Sequence, residues 1–208
     1  MRRTIPLILI LLVTTIATYL AFQVTQVESL LIKGSKGLFD LEAHWAKGNV
    51  ALLVRHTERC DRSGSPCFDG TDGITVLGKA EAIKIGKALG KLLKQEADIY
   101  NSPLKRTQQT ANFMFPGKSV DKEWLRDGCE ENLLDDIFKY KKEAKNLILV
   151  THNKCIESLG EHQGNKLINM DIKVDDTYGG SFFLAVDKEK NNAYFLGYLS
   201  ADSWEKLY

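Results

Sequence analysis

Net charge is almost absent from this 208-residue sequence: Lys and Arg number 28, Asp and Glu 27, leaving a formal +1 at pH 7. So balanced a chain has no bulk electrostatic pull toward nucleic acid, and any anion it binds must be gripped by a local cluster of bases. Low-complexity segments and internal repeats are missing too. A hydrophobic share of 44% is ordinary for a folded domain and excludes a disordered chain. Histidine is scarce, with four in all. The Cys60-x6-Cys67 spacing is wrong for a zinc knuckle, and no histidine pair accompanies it. No motif calls for a metal or an organic cofactor. Charge of either sign is missing between Arg3 and Glu28.

That uncharged stretch, with Arg2 and Arg3 before it, runs apolar from Ile5 to Phe22 and would span roughly 27 Å as a helix, enough for a bilayer core. A basic start before an apolar run reads as a secretory signal or an uncleaved anchor. Ala17-Thr18-Tyr19 and Leu20-Ala21-Phe22 both put an aromatic ring where a small residue is wanted for cleavage, which favours the anchor. Residues 1–27 are therefore expected to hold the protein in the membrane, with Arg2 and Arg3 cytoplasmic and the body on the extracytoplasmic, periplasmic side. Residues 28–48 read as a tether and one short helix. Leu38, Leu41 and Trp45 recur there at helical spacing, with Trp45 directed to the core and His44 to solvent. The remaining residues, 49–208, are long enough for one globular domain.

Chemistry concentrates in Arg55-His56-Thr57-Glu58-Arg59, directly after the apolar run Val50 to Val54. Such a run predicts a buried parallel strand, and a polar cluster at its carboxyl end lies where open α/β sheets place ligands. Arginine forks match phosphate bidentately, and a neutral imidazole can attack phosphorus. Thr75 caps a predicted helix carrying Ile83, Leu89, Leu92 and Leu93 on one face. Ala97 to Asn101 predicts a second strand, ended by Ser102-Pro103, and a helix from about Leu104 carries Arg106, Thr107, Thr110 and Ala111. Leu147 to Val150 predicts a third strand, followed at once by Thr151-His152-Asn153. Ser181–Val186 and Ala193–Leu199 alternate around a turn and read as a β-hairpin. The sum is a three-layer α/β/α fold with a mainly parallel sheet and a C-terminal hairpin.

Four cysteines allow three pairings. Loop closure favours Cys60 with Cys67 across a turn-rich stretch, which leaves Cys129 with Cys155. Two such bridges would fit an exported protein.

With these motifs in order, the chain resembles the histidine phosphatase (phosphoglycerate mutase-like) superfamily. Arg55-His56 is similar to its nucleophile motif, with Thr57 where glycine is usual. Gly73 to Gly78 is similar to its helix-opening motif, Ser102 to Ala111 to its second arginine motif, and His152 stands at its second histidine. Arg55 through Ser63, followed by Cys67, most resembles the lipopolysaccharide core heptose-phosphate phosphatases, which are exported and share the cysteines. The resemblance implies hydrolysis of a phosphomonoester through a phosphohistidine on His56. Arg55, Arg59 and Arg106 would bind the phosphoryl oxygens, and His152 would donate to the developing charge. The partner it implies is a phosphorylated small molecule or glycolipid.

A general acid must protonate the leaving alkoxide. Asn153 occupies the place where one branch of the family carries an aspartate. The loop after the second arginine motif offers Glu123, Asp127, Glu130 and Glu131, of which Glu130 ranks first and Asp127 second. The alternative to an enzyme is a catalytically inactive, membrane-anchored module that binds a phosphorylated ligand.

Overall fold

The computed structural model describes residues 34–92, 96–161 and 177–207. The signal or anchor expected over residues 1–27 lies outside them, and among the described residues no helix is long and apolar enough to cross a membrane. Val50–Arg55 (β1), Ala97–Asn101 (β2), Val120–Asp121 (β3), Asn146–Thr151 (β4), Ser181–Asp187 (β5) and Asn192–Leu199 (β6) form one sheet in the order β3-β2-β4-β1-β5-β6. The first four strands run parallel, while β5 and β6 add an antiparallel hairpin to β1.

Every residue of β1 and β4 is buried, as a strand covered on both faces requires. Their side chains alternate between two cores. Val50, Leu52, Val54, Ile148, Val150, Phe183 and Ala185 face one layer. Ala51, Leu53, Leu147, Leu149, Phe182 and Leu184 face the other. The first layer holds Gly34–Ala46 (α1), Val76–Leu92 (α2) and Lys105–Met114 (α3), with Trp204 from the final 3-10 turn of Ala201–Leu207 filling it. The second holds Cys129–Tyr140 (α4) and Asn153–Glu161 (α5). The three-layer α/β/α fold expected from the pattern is the fold observed.

Several local expectations change. The buried stripe of α2 runs through Ala82, Ile85 and Leu89, spaced three and four apart. Ile83 is only partly covered. On α1, Leu41 and Trp45 are buried as expected, and His44 is only partly exposed. Its Nδ1 lies 3.1 Å from the Asn49 amide oxygen and its Nε2 2.8 Å from the Tyr194 hydroxyl, because α1 packs over the start of β6. The segment read as a loop bearing candidate acids is a 3-10 turn, Glu123–Leu125, followed by α4, with Glu130 and Glu131 in the helix's first turn. Disulfides join Cys60 to Cys67 and Cys129 to Cys155, with Cα separations of 5.2 and 5.0 Å. The second ties the start of α4 to the first turn of α5.

Candidate active site

Three neighbouring parallel strands end level with one another. Arg55 pairs with Thr151 across β1 and β4, and Asn101 with Val150 across β2 and β4. The residues that follow, His56, His152 and Ser102, therefore emerge side by side at the carboxyl edge of the sheet. Backbone bonds continue the ladder one residue beyond it: His56 N–H donates to the Thr151 carbonyl and Ser102 N–H to the Val150 carbonyl. The two imidazole rings stand 5.5 Å apart, centroid to centroid, tilted by 61°.

Hydrogen bonds fix the tautomer of each ring. His56 Nδ1 lies 2.8 Å from the Thr57 carbonyl, which can only accept, so Nδ1 carries the proton and Nε2 presents a lone pair. His152 Nδ1 lies 3.4 Å from Arg106 Nη2, which can only donate, so Nδ1 accepts. Its Nε2 then donates to the Ser102 hydroxyl at 2.9 Å.

Both rings are held neutral. Burial pushes His56 well below its ordinary value, and His152, Arg106 and Arg55 push it further, against the opposing bond to Thr57. Burial, then the charges of Arg106, Arg59 and Arg55, take His152 down to about 3. A base whose folded pKa is depressed refuses a proton that the unfolded chain accepts, so its stabilisation is full above pH 6.5 and is lost as pH falls toward 3. Glu81 works in the opposite sense, because its carboxyl is pushed up to about 7. The informative quantity is therefore the difference between the wild type and His152→Gln. Going from pH 6.5 to 5, the wild type should lose on the order of 1–2 kcal/mol more unfolding free energy than the variant in denaturant titrations. Parallel profiles would mean that His152 titrates normally in the folded protein.

Around the imidazoles stand the three arginines. Arg55 is 2% exposed, and its Nη1 donates to the Thr177 hydroxyl at 3.1 Å while its guanidinium lies 4.0 Å from the Tyr178 ring. Arg106, in the first turn of α3, has a buried Nε with no hydrogen-bond partner among the described residues. An unsatisfied buried donor is costly unless a ligand meets it. Arg59 reaches the same crevice, where its charge bears on Arg106 and His152, but its guanidinium is forked onto the Asp61 carboxylate. The nucleophile loop is laced to α3: Thr57 N–H donates to the Thr110 hydroxyl, and Thr110 donates to the Arg106 carbonyl.

Neither candidate acid is joined to the imidazoles by hydrogen bond or ion pair among the described residues. Asp127 is exposed and bonded by Arg126, which holds its carboxyl below the usual range and therefore ionised. Glu130, also exposed, stands 3.6 Å from Lys154, which is two residues beyond His152 and next to the Cys129–Cys155 bridge.

The structure adds Ser102, Thr177 and Tyr178 to the residues that sequence reasoning singled out for roles. Ser102 was visible inside its motif. The only local signal for the other two was the Thr177-Tyr178-Gly179-Gly180 stretch standing directly before a strand. What the arrangement can do is bind a tetrahedral anion between guanidinium groups, with an unprotonated imidazole nitrogen beside it.

No protein-family model matches the sequence. Over 143 residues, 68% of each chain, it is 34% identical to a lipopolysaccharide core heptose(II)-phosphate phosphatase of Salmonella typhimurium. A Shigella flexneri protein of that description is 34% identical over 124 residues, 59% of this chain and 62% of its own. Among solved structures, a phosphoserine phosphatase from Entamoeba histolytica, in complex with phosphoserine, shares the fold at TM-score 0.53 and 15% identity, covering 74% of this chain and 98% of its own.

Proposed function

We propose, for a chain that belongs to the histidine phosphatase superfamily and is a histidine-type phosphatase, that it is exported and removes phosphate from a heptose of the lipopolysaccharide core. The observation that carries the reading is one crevice in which a buried neutral imidazole with an unprotonated Nε2 faces arginines, one of them with a buried Nε that no hydrogen bond meets among the described residues. His56 Nε2 attacks phosphorus in line, forming the P–N bond as the P–O bond to the sugar breaks. Arg55, Arg106 and Arg59 carry the equatorial oxygens through the transition state, and His152 donates to them through an Nε2 proton that it shares with Ser102 in the resting site.

The leaving alkoxide takes a proton from a carboxylic acid. We assign that acid to Glu130 ahead of Asp127, because the disulfide beside Glu130 ties its helix to the one after His152. Water then attacks the phosphohistidine, the P–N bond breaks, and the same carboxylate recovers a proton from the water.

Export is supported by the pairing of all four cysteines, since disulfides persist in oxidising compartments. The basic start and uncharged run before Glu28 support delivery to the periplasmic face of the inner membrane, with residues 1–27 as signal or anchor and 49–208 as the catalytic domain. The substrate assignment rests on the name that the 34% identical relatives carry. Phosphate release by the full-length protein in detergent, measured over lipopolysaccharide core, simple sugar phosphates and phosphoproteins, tests it. Core heptose phosphate should be hydrolysed with the highest kcat/KM. Faster turnover of phosphoproteins would overturn the substrate assignment, and release from none of them would overturn the reading as a whole.

A further inference from the structure

The ends of β1 and β6 and the start of β5 lie at the crevice end of the sheet, since Val54 pairs with Ser181 and Ser181 with Leu199. Beside the histidines is a second cavity, of about 320 Å³, whose walls include Glu58, Glu81, Tyr178, Tyr198 and Asp202. Tyr178 belongs to both spaces, because its ring centroid is 5.6 Å from that of His56 and 4.0 Å from the Arg55 guanidinium. Two glycines let the wall close in. A Cβ on Gly179 would stand 3.0 Å from the Glu81 carboxylate and 2.9 Å from Ala201, and one on Gly180 would stand 3.0 Å from the Tyr198 ring. Among the described residues no hydrogen bond engages the side chains of Glu81, Tyr178 or Tyr198, so these groups line the cavity with unused donors and acceptors.

We propose that this cavity is the subsite for the non-phosphate part of the substrate and that it takes a polyhydroxylated, glycosyl-type group. Carboxylates accept hydrogen bonds from paired hydroxyls, and tyrosine faces pack on the C–H surface of a sugar ring. An acyl chain there would leave carboxylates desolvated and unpaired, which is costly. A second phosphate or an acidic peptide would be repelled by Glu58 and Asp202. Among the described residues, no group of His, Cys, Asp and Glu is arranged to hold a metal ion. Burial, with Asp202 and Glu58 nearby, pushes Glu81 up to about 7, so near neutrality it can donate to a ring oxygen as well as accept.

The inference rests on the phosphomonoesterase reading above and is tested separately from it. The probes are mannose 6-phosphate and cyclohexylmethyl phosphate, which match in ring size and differ in hydroxyls. The wild type should favour the sugar in kcat/KM by on the order of 10²-fold, about what a few hydrogen bonds supply. Glu81→Gln and Tyr198→Phe should each reduce that preference by about tenfold. Hydrolysis of both probes with no preference, or equal losses on both in each variant, overturns the subsite and leaves the phosphatase reading standing. Hydrolysis of neither overturns both.

Discussion

Substituting His56→Ala should leave a folded protein that neither turns over a phosphomonoester nor accepts a phosphoryl group. The loss should be on the order of 10⁴-fold or more, because the covalent route disappears with its nucleophile. Folding should survive: among the described residues the ring's one hydrogen bond is to the Thr57 carbonyl, and leaving that acceptor unpaired costs about 1–3 kcal/mol. The strand behind it is untouched, since Arg55, Thr57 and the β1–β4 ladder keep their partners. Rapid-quench labelling should trap an acid-labile phosphoenzyme in the wild type and none in the variant, with circular dichroism unchanged. Label of that lability persisting in His56→Ala would move the nucleophile elsewhere.

The second large effect belongs to Arg106. Arg106→Ala removes a guanidinium whose buried Nε has no hydrogen-bond partner among the described residues and whose Nη2 sets the tautomer of His152. We expect kcat/KM to fall by on the order of 10²-fold or more, with tungstate binding weakened in parallel. Lysine should restore little, because a point charge lacks the fork that meets two phosphoryl oxygens. The tie from α3 to the nucleophile loop runs through the Arg106 main-chain carbonyl, so it survives the substitution and the loss reports the side chain. Near-wild-type kinetics would return Arg106 to the solvated surface.

Much of this site is legible in the sequence because its scaffold is. Strands β1 and β4 are covered on both faces, and that condition writes itself as unbroken apolar runs with the polar crevice residues directly after them. Helix α4 was hidden by its charges: Glu130 and Glu131 read as loop, although Leu133, Leu134 and Ile137 lie on one face. Strand β3 is two exposed residues at the sheet edge and has no pattern to find. On α2, the apolar face read through Ile83 is buried one residue earlier, at Ala82, because close packing seats the small residue against the sheet. Thr177 and Tyr178 reach Arg55 from 122 and 123 positions away through an antiparallel pairing that no local window records.

The cysteines pair in order along the chain, first with second and third with fourth. A polypeptide that emerges amino end first presents Cys60 and Cys67 together, then Cys129 and Cys155, and nothing later competes for them. An oxidant that simply joins each newly exposed thiol to the one before it leaves native bridges, with no reshuffling by thiol–disulfide exchange. Both are within reach of closure once residue 155 has appeared, while β5 and β6 are still to come. Tyr178, which stands over Arg55, lies beyond residue 155 in the chain, so chain order allows both bridges to close before that ring and the hairpin after it are in place.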